Sequence, residues 1–166
     1  MIEVRRIAGD SEIARELLVA MEAYVEADLG PVTAETTSTV DPGEMNPPDG
    51  AYVIVLEDGF PVAGGGVRRL GEDVAEVKRM YTLPDARGRG HGRRLLSALE
   101  DAARELGYAR VRLDTAATMD VARQLYGDAG YEEIADSRGR RPPTPGLRGG
   151  LPPGYAYAVF WGEKRL

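Results

Sequence analysis

Arg87-Gly88-Arg89-Gly90-His91-Gly92, followed at once by Arg93-Arg94, is the stretch on which the reading of this chain turns. Glycines lack a Cβ, so the backbone bends until several amide hydrogens face one ligand. Downstream, Leu95, Leu96, Leu99, Ala102, Ala103 and Leu106 recur at helical spacing as far as Gly107, so the loop opens an amphipathic helix. A helix N-terminus carries about half a positive charge, and arginines add full charges that form charge-assisted bonds to phosphate. Together these features predict an anion site whose natural guest is a diphosphate. Two other glycine loops fit poorly. There is no Gly-Lys-Ser/Thr ending, and the spacing is not Gly-x-Gly-x-x-Gly, which argues against ATP and NAD. The competing reading is a solvated Arg/Gly turn; its position directly ahead of the strongest helix in the chain counts against it.

Outward from this loop, the pattern alternates strands and helices. Upstream lie a strand over Val74–Leu83, a strand over Val62–Leu70 and a strand over Ala51–Glu57, the last two joined at the turn Asp58-Gly59. Glu76, Lys78 and Arg79 interrupt the apolar alternation of Val74–Leu83, which a bulge would explain. Ile2–Arg6 reads as a first strand. Asp10 and Ser11 read as caps for a helix carrying Ile13, Leu17, Met21 and Tyr24 and stopping at Gly30-Pro31. Val32–Gly50 reads as loop with room for a short helix. Downstream, Val111–Asp114 is strand-like, Val121–Ala129 helical with Gly130 as its cap, and Tyr131–Ile134 the start of another strand. Residues 136–154 hold Arg138-Gly139-Arg140-Arg141-Pro142-Pro143 and a second Pro/Gly cluster, so they read as loop, and Tyr155–Trp161 as a closing strand. The fold class is therefore α/β, in one domain spanning 1–166.

Composition narrows the chemistry. The 166 residues include no cysteine and one histidine, so thiolate nucleophiles and cysteine metal sites are excluded and no metal is expected. A net charge of −6 argues against nucleic acid. Met1 leads into Ile2-Glu3-Val4-Arg5-Arg6, and no apolar run approaches the roughly 20 residues of a membrane span, so a cytoplasmic protein without a membrane partner is expected. The charge is unevenly spread. No Lys or Arg occurs from Glu16 to Val67, a stretch that holds Glu22, Glu26, Asp28, Glu35, Asp41, Glu44 and Asp49.

Arg87, Gly90 and Gly92 match Arg/Gln-x-x-Gly-x-Gly/Ala, the hallmark that the GCN5-related N-acetyltransferases (GNAT) carry between their fourth strand and third helix. Lys78-Arg79-Met80-Tyr81-Thr82-Leu83-Pro84 resembles the family's fourth strand, and Leu125-Tyr126 with Ala129-Gly130-Tyr131 its later helix and following strand. The resemblance covers roughly residues 50–135. It implies a mixed, mostly antiparallel central sheet flanked by helices, with the fourth and fifth strands splayed apart. It also implies acetyl-CoA as cosubstrate, its pantetheine lying in that gap on the backbone of Met80 and Thr82. The amides of Arg87, Gly88, Arg89, Gly90, His91, Gly92 and Arg93 would hold the pyrophosphate, and an amide near Met80 or Tyr81 would polarise the thioester carbonyl.

Transfer to an amine needs an unprotonated nucleophile and a protonated leaving thiol. Glu76 is the candidate general base; alternatively it is a strand-edge glutamate paired with Lys78 or an arginine. Tyr126 is the candidate acid toward the departing thiolate, as its position in relatives implies; alternatively its ring packs against the sheet. His91 is declined as a base, because its place in the loop points to a backbone contact or to solvent. Asp114 and Asp120 neighbour the expected cleft, but Thr118 and Met119 stand where relatives often carry Asn. The family builds its acceptor side from the first helix, the loop after it and the late loop. The acidic stretch there and Arg138, Arg140, Arg141 and Arg148 in the late loop suit a small cationic or zwitterionic amine, with the late loop as lid; ordinary solvated charge is the alternative. A non-catalytic acyl-CoA sensor and a protein or peptide N-acetyltransferase remain as competing functions. Monomer and homodimer both stay open.

Overall fold

The computed structural model describes residues 1–29, 40–116, 118–134 and 159–166. Strand β1 (Ile2–Ile7) precedes helix α1 (Glu12–Leu29); strands β2 (Ala51–Glu57), β3 (Phe60–Arg69) and β4 (Val74–Thr82) follow. Helix α2 (His91–Glu105), strand β5 (Arg110–Ala116), helix α3 (Asp120–Asp128) and strands β6 (Glu132–Glu133) and β7 (Val159–Arg165) complete the order. The strands form one sheet in the order β1-β2-β3-β4-β5-β7-β6. All neighbours are antiparallel except β4 and β5, which run parallel.

Strand β2 shows why helices cover both faces. Successive strand side chains point to opposite sides, and on β2 both sides are apolar. Val53 and Val55 join Leu95, Leu96, Leu99 and Ala103 of α2, while Tyr52, Ile54 and Leu56 join Ala14 and Leu17 of α1. The α2 stripe read from the sequence is this buried face; Leu95, Leu99, Ala102 and Ala103 have no exposed surface. Ser11 alone does the capping expected of Asp10 and Ser11, accepting from the Ala14 amide at 3.3 Å, whereas Asp10 accepts from the Asn46 side chain. Among the described residues of the segment read as loop with room for a short helix, Pro42–Met45 forms a 3₁₀ turn with Asp41 as its cap. Among the described residues, no helix is long and apolar enough to cross a membrane.

Several ends differ from expectation. β5 runs on to Ala116, and β7 runs on to Arg165, past the expected stop at Trp161. The charged end of β7 is sheet because its charges find partners: Glu163 takes the Arg112 guanidinium, and Lys164 donates to Glu100 of α2 at 2.8 Å. The stop at Gly30-Pro31 and the part of the closing strand before Val159 lie outside the described residues, as does the Pro/Gly segment with its arginines.

The bulge in the fourth strand is present. Gly64 pairs with Tyr81 and Gly66 with Lys78, so Arg79 and Met80 together face Gly65. Arg79 takes φ 56°, the left-handed conformation a non-glycine residue enters at a cost, and its side chain donates to the Val40 carbonyl. A Cβ on Gly65 would stand 3.0 Å from the Met80 Cα, so glycine lets the bulged backbone sit this close.

Candidate active site

Strands β4 and β5 pair only through Val74–Arg110, Ala75–Val111 and Glu76–Arg112. Beyond that point β4 stays with β3 while Leu113–Ala116 stays with β7, so the strands part and the inner edge of β4 carries no ladder over Lys78–Thr82. The expected splay is there. A cleft of about 910 Å³ opens into it, walled by α1 (Met21, Tyr24), β4 (Lys78 to Thr82), the glycine loop, β5 (Asp114) and α3 (Leu125, Tyr126).

The glycine loop forms one end of this cleft. Gly88 and Gly90 have φ 75° and 82°, and Gly90 is the residue from which α2 starts. The first bond of that helix runs from the Arg94 amide to the Gly90 carbonyl at 3.1 Å, which leaves the amides of His91, Gly92 and Arg93 without a helical acceptor. Among the described residues no turn bond takes the amides of Gly88, Arg89 or Gly90 either, whereas the Arg87 amide, expected with them, is spent on the Pro84 carbonyl at 3.2 Å because it closes the 3₁₀ turn before the loop. A Cβ on Gly92 would stand 3.4 Å from Leu125 of α3, in ordinary van der Waals contact. Unpaired amides at a positive helix end form a site for an oxyanion.

The arginines, by contrast, are engaged by the protein. Arg87 Nε donates to the Thr82 carbonyl at 3.1 Å, and its guanidinium lies 4.1 Å from the Tyr24 ring centre. Arg89 pairs with Glu57 at 2.7 Å and donates to the Asp85 carbonyl at 2.7 Å. Arg93 is 3.4 Å from Asp128. The loop therefore presents backbone amides while the guanidinium groups of Arg87, Arg89 and Arg93 lie against the surrounding protein. His91 departs from the solvent exposure offered for it: its ring is 2% exposed beneath the loop, with Nε2 3.5 Å from Glu57 and no hydrogen bond at either nitrogen. As the first residue of an amphipathic helix it faces inward, a placement that its neighbours in sequence conceal.

Tyr126 lines the cleft from α3, 6% exposed, with its ring edge-on to Tyr131 at 6.0 Å. Burial, and then the negative charge of Asp114, push its phenol above the ordinary value, so it stays protonated. Met80, Tyr81 and Thr82 line the cleft from β4. Glu76 is not among the lining residues. Its carboxylate is 6% exposed and takes Arg68 Nε at 2.9 Å and Lys78 Nζ at 3.2 Å, the pairing weighed as the alternative to a base. Lys78 also bridges to Asp114 just beyond the last β4–β5 pair. Burial alone would lower the Lys78 pKa, but the charges of Asp114 and Glu76 outweigh it and hold the ammonium above its usual value. Sequence reasoning missed the contacts of Tyr24 and Glu57 with the loop. Both residues are distant from it along the chain and carry no local signal.

A model of the Acetyltransferase (GNAT) family matches residues 13–131. In sequence the chain is 31% identical to the Uncharacterized N-acetyltransferase YjgM of Escherichia coli (strain K12), covering 79% of this chain and 88% of that one. It is 32% identical to an IAA acetyltransferase of Azospirillum brasilense, covering 71% and 76%. In structure it resembles the PaiA N-acetyltransferase of Thermoplasma acidophilum in complex with coenzyme A, with a TM-score of 0.69 at 17% identity over 100% of this chain and 99% of that one. At that identity the likeness is one of fold.

Proposed function

The chain belongs to the GNAT family of acetyltransferases, and from that premise we propose that it moves the acetyl group of acetyl-CoA onto the primary amine of a small cationic or zwitterionic metabolite by direct attack. One observation carries the reading: the gap between β4 and β5 ends at the bare amides that open α2. The amides of Gly88 to Arg93 hold the pyrophosphate, aided by the helix dipole. The inner edge of β4 at Met80 and Thr82 offers backbone partners to the pantetheine. A β4 amide near Met80 or Tyr81 draws charge from the thioester carbonyl. Bound there, acetyl-CoA supplies an activated acyl group and a thiolate leaving group.

Residues of the cleft suit the remaining steps. Tyr126, kept neutral by burial, gives its proton to the leaving thiolate. Asp114 lines the cleft near Tyr126 with its carboxylate paired to Lys78, so this pair, open to the cleft where Glu76 is not, takes the amine's proton directly or through water. Glu22 and Asp28 of α1 add negative charge to the opposite wall, which favours a cationic acceptor.

For Glu76 one variant separates the two roles. Glu76→Gln is expected to cost about 1–2 kcal/mol of stability, because Arg68 and Lys78 lose a shared buried partner but keep Glu44 and Asp114. The pH profile of kcat/KM should keep its shape. Chemical denaturation and a pH series check this, and a stable variant that has lost turnover would restore Glu76 as the base. The function itself is tested by thiol release from acetyl-CoA over a panel of amino acids, small amines and peptides. Turnover with small amines is expected; a preference for peptides would overturn the acceptor reading.

A further inference from the structure

Arg87 leads the glycine loop, yet its side chain lies against the acceptor wall. The centre of its guanidinium is 4.1 Å from the ring centre of Tyr24 on α1 and 5.5 Å from that of Tyr81 on β4. The two rings stand 5.9 Å apart, tilted by 47°. The Thr82 carbonyl accepts from Nε at 3.1 Å and fixes the direction of the fork. A guanidinium is planar and weakly hydrated, so it stacks on aromatic faces while its edge makes hydrogen bonds.

Apart from the buried His91 ring, little else holds the loop. Gly88 and Gly90 take left-handed φ values and project no side chain, and a Cβ built on either meets nothing within 4 Å. The conformation of the amide ring therefore depends on its side-chain anchors: His91 buried beneath it, Arg89 fastened to Glu57 at its middle, and Arg87 at its start, stacked on Tyr24 and beside Tyr81. We infer that Tyr24 is a positioning residue for the cofactor: its ring holds Arg87 folded back, so the loop amides stay presented and the acceptor helix is tied to cofactor affinity. This rests on the reading that the loop binds acetyl-CoA.

Calorimetry with CoA and steady-state kinetics test it on Tyr24→Phe, Tyr24→Leu and Tyr24→Met, with melting curves alongside. Methionine keeps helix propensity and apolar bulk, so it guards against a folding loss in the leucine variant. Loss of the ring should raise the CoA Kd by about fivefold and the KM for acetyl-CoA by a similar factor, with kcat within about twofold. Tyr24→Phe keeps the ring face and should stay within about twofold of the parent in every constant. In an Arg87→Leu background, Tyr24→Leu should cost nothing further. An unchanged Kd without the ring, an equal loss in Tyr24→Phe, or the same loss with and without Arg87 would each overturn the inference. Failure of the parent protein to bind CoA would sink the functional reading instead, so the two failures are distinct.

Discussion

Replacing Tyr126 with phenylalanine is expected to lower kcat by about a hundredfold while leaving the melting temperature and the KM for acetyl-CoA nearly unchanged. The residue is 6% exposed and its ring meets Tyr131 edge-on, contacts that phenylalanine keeps. Only the hydroxyl is lost. Burial and the charge of Asp114 both disfavour the phenolate, so the phenol holds its proton through the neutral and mildly alkaline range. A group whose pKa is raised stays in its acid form as pH rises, so Tyr126 should produce no falling limb in the kcat profile below about pH 10. Rates across about pH 6–9 for both proteins check this. An unchanged kcat would reduce Tyr126 to a packing residue.

The second large effect is expected at Gly90. Valine there must adopt φ 82° at the residue from which α2 starts, a conformation that costs L-residues about 1–2 kcal/mol and β-branched ones more. Apart from its two chain neighbours, no atom of the described residues lies within 4 Å of the added Cβ, so the penalty comes from the backbone and from bulk placed before the amides. Gly90→Val should therefore lose only about 1–3 kcal/mol of stability but at least about a hundredfold in CoA affinity. Asparagine tolerates this conformation better and should fall between. Calorimetry with melting curves separates the two losses. Full CoA affinity in a folded Gly90→Val protein would mean the loop is a solvated turn.

The features legible in the sequence were those written in short-range pattern. The stripe from Leu95 to Leu106, the turn Asp58-Gly59 and the broken alternation at Glu76, Lys78 and Arg79 each follow from neighbours a few residues apart, and each is found as α2, the β2–β3 turn and the β4 bulge. The parting of β4 and β5 was reachable only through the family pattern, because nothing in either strand alone records that their ladder stops at Glu76 and Arg112. Long-range charge pairing was not legible. For Glu76 the sequence left base and ion-pair partner open, and only the fold shows Arg68 and Lys78 on it; nothing in the sequence tells that Glu163 and Lys164 find Arg112 and Glu100. The partners of Arg87, Arg89 and Arg93 were hidden for the same reason. Glu57, Tyr24 and Asp128 come from distant segments and engage them.

The most direct measurement is an amide nuclear magnetic resonance titration of the protein with CoA. The amides of Gly88, Arg89, Gly90, His91, Gly92 and Arg93 should shift most, joined by those of Met80 and Thr82 on the inner edge of β4. Saturation with CoA that leaves the amides of Gly88 to Arg93 unmoved would contradict the account.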